Sequence, residues 1–210
     1  MQQTAFPTVF TIGHSTHTLE RFIGLLGLHA ITAIADVRST PYSRLNPQFD
    51  REAIIEELGA AGIAYVFLGR ELGARSDDPS CYENGRVRYG PMAQTAAFRQ
   101  GLRRVQEGMK KYRLAMMCAE KEPLECHRTV LVARRLDALG VPVRHILADG
   151  RLESQADVLE RLVRQLGLPE SDMFRSHAEV IEDALVIQES RIAYTSPEME
   201  PAARARRAGQ

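Results

Sequence analysis

Short apolar runs alternate with amphipathic helical patterns five times along this chain, and this alternation constrains the fold most. The runs are residues 8–12, 31–37, 64–68, 113–117 and 143–147. Runs of this length are typical of strands buried on both faces of a sheet. Strands separated by single helices pair in parallel through right-handed crossovers. The sequence therefore predicts an α/β fold: a single-domain three-layer sandwich with a mainly parallel, Rossmann-like sheet of about five strands and helices on both faces.

The same pattern predicts the domain organisation. Residues 8–168 are expected to form the α/β domain, residues 169–195 a partly helical C-terminal extension, and residues 196–210 a mobile tail. The tail is rich in Pro, Ala, Arg and Glu, a composition that does not favour a packed core. Residues 69–91 read as a long polar loop, and loops of this length are often functional lids.

Composition narrows the class of protein. The chain carries 27 basic and 27 acidic side chains, so its formal net charge is zero and no global field recruits nucleic acid or an acidic membrane. No apolar run approaches the ~18 residues of a membrane span, and the start does not resemble a secretory signal. Three cysteines form no disulfide framework. We therefore expect a cytoplasmic protein with free thiols and no membrane partner.

Chemically reactive side chains follow the predicted strands, at the edge of the sheet where parallel strands end. Ligands bind at this edge in open parallel sheets. The connections at the opposite edge are short and carry no such side chains. The candidate catalytic residues are His14, Asp36, Cys118 and Glu120, and the candidate ligand-binding residues are Ser15, Arg38, Ser43, Arg70, Cys126, His127 and Arg128.

Four motifs carry a resemblance to a known family. They are TIGHS at residues 11–15, DVRSTPYS at 36–43, LGRELG at 68–73 and CAEKEPLECHR at 118–128. Together and in this order they resemble the domain of unknown function family 488. The third motif departs from the usual Leu-Gly-Gly, because Arg70 replaces the second glycine. The resemblance spans residues 8–168 and implies a small α/β domain without an established reaction.

The passage from Cys118 to Arg128 leaves several roles open. A helix start beside His127 and Arg128 is electropositive and would bind a phosphate or carboxylate, or lower a cysteine pKa. Alternatively, Cys118 and Cys126 pack as small apolar residues. The spacing differs from the Cys-x5-Arg loop of phosphatases and rhodanese-like domains, because Arg128 is ten residues after Cys118 and two after Cys126.

His14 and Asp36 also have two interpretations. His14 and Ser15 follow a buried strand and would offer a general base, with Asp36 expected on the adjacent strand to orient the ring. Alternatively, the histidine bonds to a neighbouring loop. Asp36 ends an apolar strand and must pair with a cation or a ligand hydroxyl. A structural ion pair with Arg38 satisfies it, while Arg38 and Ser43 would still face a phosphate.

The spacing of the potential ligands in the sequence disfavours a metal site. His14, Cys118, Cys126 and His127 carry nitrogen and sulfur atoms of the kind that bind zinc. However, no CxxC or HxxxH spacing is present, and Cys126 and His127 are expected to point different ways on a helix. The sequence therefore predicts no metal and no cofactor.

The favoured function is a hydrolase or transferase that acts on a nucleotide or another phosphorylated small molecule. Arg38 and Arg128 would hold the anion, and His14 or Glu120 would transfer protons. The optional nucleophile is a cysteine, Cys118 or Cys126.

Two alternatives remain. The first is a non-catalytic nucleic-acid or nucleotide-sensing module that uses the basic and aromatic side chains of the long loop. These are Arg70, Arg75, Tyr82, Arg86, Arg88 and Tyr89. The second and weaker alternative is a thiol-redox protein with Cys118 and Cys126 as the reactive pair.

Overall fold

A computed structural model describes residues 7–169 and 175–199, and its centre is a six-stranded sheet. In chain order the strands are β1 (Val9–Gly13), β2 (Ala33–Asp36), β3 (Ala64–Phe67), β4 (Tyr82–Glu83), β5 (Arg86–Val87), β6 (Leu114–Cys118), β7 (Val143–Ile146) and β8 (Leu152–Ser154). The sheet has the order β3-β2-β6-β1-β7-β8, while β4 and β5 form a separate hairpin.

The helices alternate with these strands. They are α1 (Leu19–Leu28), α2 (Arg51–Ala60), α3 (Gly69–Leu72), α4 (Tyr89–Ala93), α5 (Ala96–Met109), α6 (Arg134–Ala138), α7 (Gln155–Gln165) and α8 (His177–Ile192). A π-helical segment, Arg128–Ala133, leads into α6. Of the helices in the described residues, none combines the length and the apolar character that crossing a membrane requires.

Strand directions confirm the predicted fold class. In the six-stranded sheet, β1, β2, β3, β6 and β7 run parallel to one another, and only β8 runs antiparallel, against β7. The sheet has six strands instead of about five because β8 adds a three-residue edge strand that is too short to give a periodic signal. Helices cover both faces, which confirms the α/β arrangement.

Each face of the sheet has its own apolar core. On one face, Phe22 of α1 and Ile54 of α2 pack with Phe10 and Ile12 of β1. On the other face, α5, α6, α7 and α8 pack in a larger cluster. Side chains alternate along a strand, so Thr11 of β1 points away from the first core. Helix α1 begins after Thr18, because the Thr18 side chain accepts a hydrogen bond from the Arg21 backbone N–H.

The expected loop at residues 69–91 is instead largely structured. It contains α3, the β4–β5 hairpin and the start of α4. Asn84 and Gly85 both have positive φ, which suits the two-residue turn of a hairpin. Gly69 brings α3 against the backbone that follows β2, since a β-carbon there would lie 2.0 Å from the Arg38 carbonyl oxygen.

Strand order decides which residues meet at the carboxyl edge. β6 lies between β1 and β2, with Gly13 opposite Cys118 and Asp36 opposite Met117. The expectation that Asp36 ends the strand adjacent to that of His14 is therefore wrong, because the fourth parallel strand inserts between the first two. The polar side chains at the ends of the neighbouring strands β1, β6 and β2 nevertheless lie together at the carboxyl edge of the sheet.

The C-terminal part of the described chain packs on the domain. Helix α8 contacts α7 and lies within the predicted C-terminal extension. Pro197–Met199 forms a short 3₁₀-helix. The rest of the predicted tail, from residue 200 onward, lies outside the described residues.

Candidate functional site

One polar group at the carboxyl edge, the Asp36 network, consists of Asp36, Arg38, Tyr65 and His14. Asp36 is fully buried, and its carboxylate accepts from Arg38 Nε at 2.9 Å and Nη2 at 2.7 Å. The Tyr65 hydroxyl donates to Asp36 Oδ2 at 2.8 Å. Arg38 Nη1 donates to the Phe49 carbonyl at 2.9 Å. The ion pair therefore has its charges and hydrogen bonds matched inside the protein.

His14 belongs to the same network and is held as a neutral ring. Its Nε2 lies 3.3 Å from Arg38 Nη1, and its Nδ1 lies 2.9 Å from the Ser15 carbonyl. Because a guanidinium only donates, Nε2 accepts and Nδ1–H donates to Ser15. Burial and the Arg38 charge lower the pKa of His14 to about 4. The ring also stacks on Phe49, with centroids 4.3 Å apart.

The second polar group, the Cys118 cluster, consists of Cys118, Glu120, Cys126 and His127. Glu120 Oε2 lies 2.9 Å from Cys118 Sγ and 3.0 Å from Cys126 Sγ. His127 Nδ1 lies 3.8 Å from each sulfur. The four ligand atoms lie within 4.8 Å of one another, so these four residues could hold a metal ion.

The local backbone explains why Cys126 and His127 face the same point. A 3₁₀-helix at Pro123–Glu125 precedes Cys126, which is extended with φ −133° and ψ 137°. His127 is the first residue after Cys126 with helical dihedrals, and the π-helical segment begins at Arg128. Because Cys126 lies outside the helix, the argument that the two side chains point in different directions does not hold.

Tight packing fixes the Glu120 loop over the end of β1. A β-carbon on Gly13 would lie 1.8 Å from the Glu120 carbonyl oxygen, so only glycine permits this approach. The backbone N–H groups of His14 and Ser15 donate to Cys118 and Ala119 carbonyls, each at 2.9 Å. The loop that carries Glu120 is thus an extension of the sheet edge.

Burial and charge set the protonation of the cluster. Burial raises the pKa of the Cys118 thiol and, with the Cys126 charge, that of the Glu120 carboxyl. Burial acts in the same direction on Cys126, but the hydrogen bond from Cys118 and the charges of Arg128 and His127 outweigh it and lower its pKa. Burial would lower the pKa of His127, yet the Cys126 charge raises it. Negative charge in the cluster therefore concentrates on the Cys126 sulfur.

Arg128 lies behind the cluster and has no exposed surface. Its Nη1 donates to the Glu120 carbonyl at 2.6 Å and its Nη2 to the Lys121 carbonyl at 3.3 Å. Within residues 7–169 and 175–199 it forms no ion pair, and its buried Nε has no hydrogen-bond partner. Its positive charge therefore faces the Cys118 cluster from inside the protein and does not line a solvent surface.

A crevice of about 430 Å³ opens above the cluster, and it is called the crevice below. Cys118, Glu120 and His127 line one part of it. Its other walls come from the segments that follow β2, α3 and β6 and from the end of α8 and the residues after it. These residues are Arg38, Ser39, Thr40, Tyr42, Ala74, Arg75, Ala119, Ile192 and Tyr194. A second cavity of about 250 Å³ shares Arg38 and Thr40 with the crevice and reaches His14, Ser15 and Ser43.

Other predicted residues lie elsewhere or already have partners. Arg70 is exposed on α3 and lines neither cavity. Arg86 Nη1 donates to the Ser190 carbonyl at 2.8 Å, and Arg88 forms ion pairs with Glu83 and Glu189. Two of the arginines named for the nucleic-acid alternative are therefore engaged within the protein.

Sequence reasoning missed Tyr65 and Tyr194, and it did not predict that Arg75 lines the crevice. Tyr65 shows a signal in retrospect, because a phenol on an otherwise apolar strand needs a partner for its hydroxyl. Arg75 was one of several arginines in the long loop, and nothing in its spacing set it apart. Tyr194 is far along the chain and reaches the crevice only through the packing of α8.

Comparison with known proteins places the chain in a family without naming an activity. No match was found among curated proteins or among solved structures. The model of the family described as Domain of unknown function DUF488 matches residues 18–135, which is more than half of the chain and includes β2, β6 and the whole Cys118 cluster. The chain therefore belongs to the DUF488 family.

Proposed function

We propose that this protein is an enzyme, a hydrolase or transferase, that acts on a nucleotide or another small phosphorylated molecule bound in the crevice. One observation carries the proposal: Arg75 and three members of the Cys118 cluster line the same space. A cation that suits a phosphate thus lies beside a concentration of reactive side chains. The volume of about 430 Å³ falls within the range of small-molecule sites.

Arg75 has the features of an anion-binding residue. Its side chain is exposed, and its guanidinium carbon lies 4.3 Å from the centroid of the Tyr194 ring. Its backbone N–H donates to Ser39 Oγ at 3.1 Å, which fixes its segment to the end of β2. Among the described residues it forms no ion pair with a carboxylate. A guanidinium that is stacked and uncompensated is well suited to bind a phosphate.

The other polar residues divide the remaining roles. The Arg38 guanidinium is paired with Asp36, and Arg128 is fully buried behind the cluster, so the anion-binding role passes to Arg75. The side chains of Ser39 and Thr40 line the crevice and offer hydroxyls to a phosphate. Glu120 in the crevice and His14 in the second cavity are the candidate proton-transfer groups.

A thermal-shift panel of nucleotides and sugar phosphates tests this function. At least one compound is expected to raise the melting temperature of the wild type, and Arg75→Ala should remove the shift. Arg103→Ala, an exposed arginine of α5 outside the crevice, is the matched control and should keep it. The proposal fails if no phosphorylated compound stabilises the wild type, or if Arg75→Ala and Arg103→Ala respond alike.

A further inference from the structure

From the geometry of the Cys118 cluster we infer that Cys118, Cys126, His127 and Glu120 form a binding site for one zinc ion at the floor of the crevice. This inference goes beyond the proposed function, because zinc binding stands whether or not the crevice takes a phosphorylated molecule. Three observations support it: four ligand atoms converge, neighbouring backbone groups orient two of the ligands, and the charge of the zinc complex would balance that of the buried Arg128.

The ligand set and its spacing suit zinc. Two thiolates, an imidazole nitrogen and a carboxylate are ligands that zinc takes in tetrahedral sites. With zinc–sulfur bonds of about 2.3 Å and zinc–nitrogen bonds of about 2.0 Å, neighbouring tetrahedral ligands lie about 3.6 Å apart. The separations of 3.8 Å between His127 Nδ1 and the two sulfurs are close to this value.

Glu120 is the adjustable ligand. Its Oε2 lies 2.9 and 3.0 Å from the sulfurs, so it must withdraw by about 0.6 Å to share a tetrahedral ion with them. Glu120 is exposed as a residue although its carboxylate turns inward, and it lines the crevice. The movement therefore needs no repacking of the core. With zinc bound, Glu120 is a ligand, and proton transfer in the proposed reaction falls to His14.

Neighbouring atoms orient the ligands as they do in zinc proteins. His127 Nε2 lies 3.0 Å from the Val37 carbonyl oxygen, so Nε2–H donates and the Nδ1 lone pair points to the cluster. The Arg128 backbone N–H donates to Cys126 Sγ at 3.4 Å. Both contacts exist without an ion, so the imidazole and one sulfur are already oriented for coordination.

The charge of Arg128 supports the same assignment. A fully buried guanidinium without a carboxylate partner is costly unless a negative charge lies nearby. Two thiolates and one carboxylate carry three negative charges and zinc carries two positive ones, which leaves one negative charge on the complex. The zinc complex would therefore be balanced by Arg128, the cation behind it.

Zinc content of the full-length protein tests the inference. The wild type, stripped with a chelator, reloaded with zinc chloride and gel-filtered, should carry one zinc per chain by elemental analysis and native mass spectrometry. Cys118→Ser should bind zinc at least about 100-fold more weakly. Cys81→Ala is the matched control, because Cys81 is a free, buried cysteine outside the cluster, and it should keep full occupancy.

A second pair of variants covers the case in which Cys118→Ser does not fold. Glu120→Gln should weaken zinc binding about tenfold or more, whereas Glu125→Gln, an exposed glutamate on the same loop, should not. A wild type that binds no zinc would overturn the inference. Equal zinc affinity in Glu120→Gln and Glu125→Gln would also overturn it. So would mass spectrometry of the intact protein, kept in reducing buffer, that shows a Cys118–Cys126 disulfide in place of zinc. None of these measurements involves Arg75, so their failure is distinct from failure of the proposed function.

Discussion

The Asp36 network and the Cys118 cluster lie at the same sheet edge and are both largely buried. They differ in how well their hydrogen-bond donors match their acceptors. In the Asp36 network, the donors of Arg38 and Tyr65 meet the acceptors of Asp36 and His14. In the Cys118 cluster, two sulfurs, a carboxylate oxygen and a ring nitrogen face one another, and these acceptor atoms outnumber the thiol hydrogens between them. The first arrangement is complete as protein, whereas the second is completed by a cation. The difference shows that burial and polarity alone do not mark a metal site, and that a mismatch of donors and acceptors does.

Removing one partner of the complete network should have the largest effect. Asp36→Ala leaves the Arg38 guanidinium buried without its carboxylate, which should lower the free energy of unfolding by about 3–5 kcal/mol. Urea denaturation of the wild type and the variant measures this loss. Glu83→Ala is the control, because it breaks an exposed ion pair with Arg88 and should cost less than about 1 kcal/mol. Equal losses in the two variants would contradict a structural role for the Asp36 network.

A third polar group extends the comparison to pH. His145 is fully buried, with Nδ1 2.8 Å from Thr11 Oγ1 and Nε2 2.8 Å from Gln155 Oε1. Burial lowers its pKa to about 4, below its ordinary value of 6.5. The unfolded chain then binds more protons than the folded one between these values, so stability should fall as pH drops from 6.5 to 4, by on the order of 3 kcal/mol.

Urea denaturation at a series of pH values measures this slope. His145→Asn removes one of the two histidines with a pKa of about 4, and His14 remains as the other. The variant should therefore have a shallower loss of stability between pH 6.5 and 4 than the wild type. An unchanged slope would show that His145 is not held neutral by burial.

Zinc should stabilise the protein through the Cys118 cluster and not through the Asp36 network. Zinc at a hundredfold excess over its dissociation constant should raise the free energy of unfolding by about 2.7 kcal/mol, because it binds the folded chain. Thermal melts with zinc and with a chelator measure the difference. Cys81→Ala should show the same gain as the wild type, and Cys118→Ser should show little. A gain that persists in Cys118→Ser would place the ion outside the cluster.

The glycine under the Glu120 loop offers a smaller and more selective perturbation. Gly13→Ala adds a methyl group 1.8 Å from the Glu120 carbonyl, so the loop must shift. We expect a loss of about 2 kcal/mol in stability and weaker zinc binding. Gly27→Ala in α1, where nothing lies within 4 Å of the added carbon, is the control and should not destabilise. Zinc affinity that is unchanged in Gly13→Ala would show that the loop position does not matter to the cluster.

Much of the fold follows from local pattern. The alternation of apolar runs and amphipathic segments predicts the parallel sheet, and the polar residues after each run predict the edge where they gather. Strand order does not follow from local pattern, because it depends on long-range packing. For that reason the sequence could not place β6 between β1 and β2, and the expected contact of Asp36 with His14 is replaced by one through Arg38.

The residues of the candidate site could be predicted from the sequence, but their spatial arrangement could not. Cys118, Glu120, Cys126 and His127 were all identified from the sequence. Their convergence depends on the extended backbone at Cys126, the residue directly after the 3₁₀-helix that begins at Pro123. Motif spacing contains no CxxC pair, because Cys118 comes from a strand end and Cys126 from a separate turn. The stacking of Arg75 on Tyr194 is likewise a product of the packing of α8.

Anomalous diffraction at the zinc absorption edge, from crystals of the zinc-loaded protein, tests the central claim most directly. The account predicts one anomalous peak, placed between the Cys118 and Cys126 sulfurs, His127 Nδ1 and the Glu120 carboxylate, and no peak in the Asp36 network. The absence of a peak at the cluster, or zinc bound only elsewhere, would contradict the distinction between a polar group that is complete as protein and one that is completed by a metal.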